Sequence, residues 1–269
     1  SLSNYGIIDF NDVITNNGII QLNQGTTVFS GENQYIPTTD YGKIIIDNSG
    51  TKLLTGNISL TDSLIIKSGI LDLNSFEISV SENVYLYENN DNRVIGEGVI
   101  ITHPTLNAPI NTNIQGFGLG IITNENIGET IIKRYHIPFQ VFDKHSISKY
   151  FELIPDNPIS ISAFIYFHYN ENDLLDHDES ALSLYYSIDA GGTWIKKYGS
   201  LDTLNNVISF NTSSLSGLWT ASSFELSSQS IIATNTIEIN LDEIMFTETI
   251  SYNIELANLG NTTLEVNVE

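Results

Sequence analysis

Five short segments in the first eighty or so residues are cast in one form. YGIIDF (5–10), NGIIQL (17–22), YGKIIID (41–47), TGNISL (55–60) and SGILDL (68–73) each run from a glycine into an apolar-rich strand with a polar interruption. The glycines stand at Gly6, Gly18, Gly42, Gly56 and Gly69, giving gaps of 12, 24, 14 and 13 residues. That is a loose period of about a dozen, with the longest gap spanning two units. Each unit is short, β-branched and bounded by Asn, Gly, Ser or Thr, the composition of a strand followed by a turn. One such strand cannot bury its apolar face alone, whereas a stack of them forms a continuous core. The repeat therefore predicts a β-solenoid-like region over residues 1–90, with an antiparallel meander as the alternative. Asn16, Asn17, Asn48 and Asn74 fall at the turns, where asparagine tolerates left-handed backbone.

The pattern changes further along. Residues 103–122 are rich in turn formers, and GFGLG (116–120) reads as a tight turn, since no strand-loop-helix context or following lysine makes it a nucleotide loop. From about 130 the strands lengthen: ETIIKRYHIPFQV (129–141), SISAFIYFHYN (160–170), SALSLYYSID (180–189), GTWIKKYG (192–199), NVISFNTSS (206–214) and GLWTASSFEL (217–226). Ile161, Ala163, Ile165, Phe167 and Tyr169 share one face of their strand, and Ser162, Phe164, Tyr166 and His168 share the other. With no stretch of helical periodicity, this predicts an antiparallel β-sandwich over 91–230. Residues 231–269 hold a further strand-turn-strand pattern, the opening of a partial immunoglobulin-like unit or else a terminal hairpin. The fold class expected is thus all-β: a short solenoid-like repeat region, a sandwich and a partial third unit.

Charge and composition narrow the function. Ten basic against 32 acidic residues give a net charge of −22. Such a surface repels phosphate backbones and anionic lipid, so neither nucleic acid nor a membrane surface is an expected partner. Cysteine is absent, which removes disulfides, thiolate catalysis and cysteine-ligated zinc. No apolar run is long enough to span a bilayer as a helix. The sequence begins at Ser1 without a signal-peptide pattern, as expected of a processed or excised piece.

SIDAGGTW (187–194) fits S-x-D-x-G-x-T-W, the Asp-box hairpin known from the propeller blades of sialidases. Ser187, Asp189, Gly191, Thr193 and Trp194 fill its fixed positions. Each has a folding role: the carboxylate accepts turn N–H groups, glycine supplies positive φ, and the tryptophan packs under the hairpin. A sialidase would grip its substrate carboxylate with three arginines, and the chain has two, Arg93 and Arg134. A propeller would also carry several boxes, and there is one. The motif is therefore expected to be a structural hairpin.

The acidic stretch NDLLDHDE (172–179) offers oxygen ligands on a loop, and Asp173, Asp176 and Asp178 are the first candidates for calcium; the alternative is a solvated loop. Its spacing is not that of an EF-hand. The five histidines, His103, His136, His145, His168 and His177, show neither H-x-H nor H-E-x-x-H spacing, and no G-x-S-x-G elbow is present. No catalytic residue is expected, and no cofactor beyond that calcium. Three N-x-[ST] triplets, at Asn57, Asn211 and Asn261, are as many as chance provides in a chain so rich in Asn, Ser and Thr.

The run GTKLLTGNISLTDSLIIKSGILDLNSFEISV (50–80), then IKRYHIPF (132–139), ISAFIYFHYNENDL (161–174), ESALSLYYSIDAGGTW (179–194) and GLWTASS (217–223), resembles a family. It is similar to the β-solenoid repeat plus β-sandwich region of adhesin-like cell-surface proteins exported by the type IX secretion system of Bacteroidota. Tyr135-His136 stand where that pattern usually has tryptophan. The tail, 247–269, is similar to immunoglobulin-like repeats. The resemblance implies secretion to the cell surface and a non-catalytic structural or adhesive role, in contact with other domains of a longer chain, neighbouring subunits or surface glycans. Exposed aromatics such as Tyr185, Tyr186 and Tyr198 are candidates for glycan contact, with core packing expected for at least one of each adjacent pair. Two other readings fit: a glycan-binding accessory module of a polysaccharide-degrading enzyme, and a subunit of an extracellular filament.

Overall fold

The computed structural model describes residues 2–3, 5–12, 14, 20–141, 143–157, 161–226, 232–233 and 257–258. Its first part is a stack of coils in which a strand is laid parallel on the one before it. The first coil holds β1 (Leu2–Ser3) and β2 (Ile7–Phe10), and the second β3 (Ile20–Phe29) and β4 (Gln34–Ile36). The third holds β5 (Asp40–Ile46) and β6 (Thr51–Leu54), and the fourth β7 (Ile58–Ile66) and β8 (Ile70–Asp72). The last contains β9 (Phe76–Val80), β10 (Tyr85–Tyr87) and the start of β11 (Arg93–Thr102). The whole is a β-solenoid of about four turns, with parallel pairing throughout, so the meander alternative does not apply.

The coil is longer than the glycine spacing implied. Ile7 pairs with Thr26, Ile44 with Leu64, Ile58 with Ile78 and Phe76 with Gly98, so one coil takes some twenty residues rather than a dozen. The reason is that each coil has three ladders. The first runs Leu22, Tyr41, Leu60, Val80, Thr102; the second Phe10, Phe29, Ile46, Ile66; the third Ile36, Leu54 beside Gln34, Lys52, Leu71, Val94. Glycine-led segments occur on more than one side of the coil, so counting them measures a fraction of a turn. At the corner between the first two ladders the register slips, and a Cβ on Gly42 would lie 2.6 Å from the Gly25 carbonyl oxygen. Only glycine permits that approach.

The inward columns are apolar and fully buried, with Leu22, Phe29, Tyr41, Ile44, Ile46, Leu54 and Leu71 at 0% exposure. Lys52 is also fully buried, and its ammonium is held by the carbonyls of Asn48 (3.0 Å) and Ser49 (3.1 Å) at a coil corner. Asn48 and Asn74 do adopt positive φ, and their side-chain amides bond the carbonyls of Ser30 and Leu54 in the preceding coil.

β11 turns the solenoid into the sandwich. Its first half pairs parallel with β8; its second half pairs parallel with β9 on one side and antiparallel with β15 on the other. The remaining strands are β12 (Thr105–Asn107), β13 (Ile110–Asn111), β14 (Leu119–Thr123), β15 (Asn126–His136), β16 (Gln140–Val141), β17 (Lys144–His145) and β18 (Tyr150–Pro155). After them come β19 (Ala163–His168), β20 (Ser183–Ser187), β21 (Ile195–Lys197), β22 (Ser200–Asp202), β23 (Val207–Thr212) and β24 (Gly217–Ser222). One antiparallel sheet runs β11-β15-β18-β24-β20-β21, and the facing one β13-β14-β19-β23-β22. In β19 and its flanks, Ile161, Ala163, Ile165, Phe167 and Tyr169 are all buried, while Phe164 is 46% exposed, as the alternation required.

A single cluster of buried side chains extends from Leu22 to Ala221, so solenoid and sandwich share one core. The division expected at residue 90 falls within the last coil. Gln115 plugs the junction: it accepts from the Thr102 hydroxyl and donates to the carbonyls of Ser81 and Val84. Buried Arg134 on β15 pairs with Glu88, just after β10. GFGLG proves to be the turn leading into β14, with Gly116 and Gly118 at positive φ. A short pair, Ile232–Ala233 with Ala257–Asn258, is described near the C-terminus; the expected third unit over 231–269 otherwise lies outside the described residues, as does the strand on which the filament reading rested. No helix among the described residues is long and apolar enough to cross a membrane.

Candidate functional site

The Asp-box hairpin joins β20 to β21. One Asp189 carboxylate oxygen accepts from the Ser187 hydroxyl (2.7 Å) and the Thr193 N–H (2.8 Å), and the other from the Thr193 hydroxyl (2.7 Å). Gly191 N–H donates to the Ser187 hydroxyl at 2.9 Å. These bonds to the charged form, the Thr193 N–H foremost, hold the Asp189 carboxyl down to about 2. Ala190 and Gly191 have positive φ, and a Cβ on Gly191 would strike the Phe139 ring. Trp194 is 1% exposed and meets Phe139 edge-on, ring centroids 5.0 Å apart. With Val141, Tyr185, Leu218 and Leu226 it forms a second small core. Every fixed residue of the motif is thus engaged in the turn or in the packing beneath it.

The acidic loop between β19 and β20 separates the three candidate carboxylates. Asp173 is buried, 2.6 Å from the Lys149 ammonium, and accepts the Asn170 N–H. Asp178 caps a single turn of 3-10 helix, accepting from Ser180 N–H and hydroxyl. Asp176 is exposed and lies 3.1 Å from His145 Nε2. Sequence proximity placed three acids together; the fold gives each a different neighbour. Among the described residues, one group of three metal-type ligands is gathered, and Asp176 is its only carboxylate, beside His145 and His177.

That group escaped the sequence reading because its members are remote along the chain. His145 ends β17, and Asp176 and His177 come from the loop before β20. His145 Nδ1–H donates to the Ser146 carbonyl (2.9 Å), which leaves Nε2 toward Asp176. His177 Nδ1 accepts the Ser223 N–H (3.0 Å). The two imidazoles meet edge-on at 5.1 Å, and Phe224 packs on both. The other histidines are apart: His103 lies near Glu129 on the surface, His168 bonds the Thr112 carbonyl, and His136 is buried within β15.

Of the three tyrosines named for glycan contact, Tyr185 and Tyr186 are core residues, 0% and 5% exposed, with hydroxyls bonded to the Phe224 and Ser216 carbonyls. Tyr198 is 82% exposed. A more organised aromatic surface lies on the solenoid. The outward residues of the second ladder stack in two columns: Ile7, Thr26, Lys43, Ser63, Tyr85, and Asp9, Val28, Ile45, Ile65, Tyr87. Tyr85 and Tyr87 end the columns with ring centroids 4.7 Å apart, both partly exposed. Before them lies an open trough of about 460 Å³, floored by Ser63 and Ile65 and edged by Lys43 and Asp62, whose charges are 3.5 Å apart. A second trough of about 520 Å³, reaching Tyr5, shares Asp62 with the first, so the two follow each other along the stack. The Y-x-Y of VYLYENN (84–90) carries the signal for this face, since alternate residues of a strand project together.

Comparison with family models, with curated proteins and with solved structures gives no match to the chain.

Proposed function

We propose that the chain is a non-catalytic structural and adhesive segment of a large secreted surface protein, of the kind its type IX-secreted resemblance implies. Its contact surface is the outer face of the solenoid, and the partner there is an extended, neutral polysaccharide. What supports this reading above all is the ladder of outward residues that ends on Tyr85 and Tyr87. Parallel coils repeat side chains at the strand spacing, close to 4.8 Å, which suits a polymer lying across several coils. Tyrosine rings offer the apolar CH faces of sugars a flat surface, while their hydroxyls remain available for hydrogen bonds. Ser63, Lys43 and Asp62 add polar partners on the floor and edge of the trough. A net charge of −22 disfavours a uronic or sulfated polymer, whose carboxylates or sulfates the surface repels.

The test is depletion of the protein from solution by insoluble neutral polysaccharides, with a reducing-end assay alongside. Binding that is lost in the Tyr85→Ala/Tyr87→Ala variant and kept in Tyr198→Ala is the expected result, with no release of reducing ends. Preferential retention on an acidic polymer contradicts the assigned partner. Hydrolysis abolished by one carboxylate substitution contradicts the non-catalytic role.

A further inference from the structure

The structure assigns His145, Asp176 and His177 as a binding site for a divalent transition metal of the zinc class. Their ligand atoms all lie within 4.8 Å of one another, and His145 Nε2 and Asp176 Oδ1 are 3.1 Å apart. Ligands at about 2.0–2.2 Å from a tetrahedral Zn²⁺ stand roughly 3.3 Å from each other. One pair already has that separation, and closing the third ligand onto it takes small side-chain movements.

Three further features belong to a metal site rather than to a surface ion pair. The far nitrogen of His145 is fixed by its bond to the Ser146 carbonyl, the arrangement that orients a ligating imidazole and presents its other lone pair. His177 is 92% buried, and its Nε2 makes no well-formed hydrogen bond, with the Ser146 carbonyl as an electrostatic neighbour of the ring. A buried imidazole nitrogen without a well-formed hydrogen bond costs stability unless something completes it. Phe224 covers both rings and gives the site an apolar wall, while exposed Asp176 leaves the fourth direction open to water.

Ligation through His177 Nε2 places the ring proton on Nδ1. The Ser223 hydroxyl, 3.1 Å from Nδ1, is the acceptor for it, in exchange for the present Ser223 N–H bond. The donor set also selects the ion. Two imidazoles and one carboxylate suit Zn²⁺, Co²⁺ or Ni²⁺, whereas Ca²⁺ takes six to eight oxygens and finds one carboxylate here.

The experiment uses the chelator-stripped 269-residue chain at pH 7.5, titrated with Zn²⁺ by calorimetry and with Co²⁺ by visible absorption. One equivalent of Zn²⁺ should bind, with a rise in melting temperature, and Co²⁺ should give the intense d–d bands of a four-coordinate site. Asp176→Asn and His145→Gln, both at solvent-accessible positions, should weaken binding by about a hundredfold or more and Ser223→Ala by about tenfold. Their melting temperatures without metal check that they fold. Binding of Zn²⁺ unchanged in Asp176→Asn, weak multi-site binding typical of an acidic surface, or a preference for Ca²⁺ would each overturn the assignment.

Discussion

Replacing Asp189 with alanine isolates what the Asp-box contributes. The carboxylate accepts three short bonds, from the Ser187 hydroxyl and from the N–H and hydroxyl of Thr193. A hydrogen bond to a charged group contributes some 1.5–3 kcal/mol when buried. Asp189 is exposed and Thr193 only half-buried, so water recovers most of each lost bond and the net loss is about 2 kcal/mol in total. For a domain of this size that lowers the melting temperature by roughly 4–8 °C. The acid response supplies an independent check. The Asp189 carboxyl is held down to about 2 in the folded chain, against an ordinary value of 3.8. A depressed carboxyl contributes stability above its unfolded value and loses that contribution as pH falls toward the folded one. Thermal melts at pH 7, 4, 3 and 2.5 should therefore show wild type and Asp189→Ala converging as the medium is acidified. Asp189→Asn, which keeps one acceptor, should fall between them at neutral pH. A variant as stable as wild type at pH 7, with a parallel acid profile, would refute the structural role of the box.

Two buried clusters at the solenoid–sandwich junction give further expectations. His136 is fully enclosed, and burial, with the cations of Arg134 and Lys149 nearby, holds its pKa well below 6.5; the acids of the same junction, Glu88 and Asp173, are taken up by those two cations. A base whose folded pKa is lowered loses stability as pH falls below its unfolded value. His136→Gln should therefore remove about 1.4 kcal/mol per pH unit of slope below about pH 6.5, measured by urea denaturation; an unchanged slope would contradict the burial. His168, also lowered by burial, keeps part of the acid sensitivity in that variant. Lys149→Met leaves Asp173 charged and enclosed, and should cost about 3–5 kcal/mol, most of it recovered in Lys149→Met/Asp173→Leu. A single variant as stable as wild type would show that the pair is open to water.

The all-β class and the sandwich alternation were legible because they depend on local periodicity. Ile161, Ala163, Ile165, Phe167 and Tyr169 face the core for the same reason they alternate in the chain. The length of the coil was not legible, because glycine-led strands recur on several sides of one turn and nothing local says which strand rests on which. The Asp-box was readable for the opposite reason: its five residues lie within eight positions, and the hydrogen bonds of Ser187, Asp189, Gly191 and Thr193 are to each other. Of Tyr185 and Tyr186 at least one was expected in the core; both are, since adjacent residues of a strand point opposite ways and both faces of β20 are covered, one by the main core and the other by the Trp194 cluster. The acidic loop suggested three gathered carboxylates, but Lys149, just before β18, takes Asp173 for itself. His145 and His177 meet only through the folding of the segments around β17 and β20, and linear spacing holds no record of that.

Contact between the outer solenoid face and a neutral polymer can be read residue by residue from hydrogen exchange with and without a soluble neutral polysaccharide. Slowed exchange in 43–46, 63–66 and 85–87, absent in Tyr85→Ala/Tyr87→Ala, is the predicted result. Binding accompanied by protection confined to the sandwich strands β19 to β24 would contradict it.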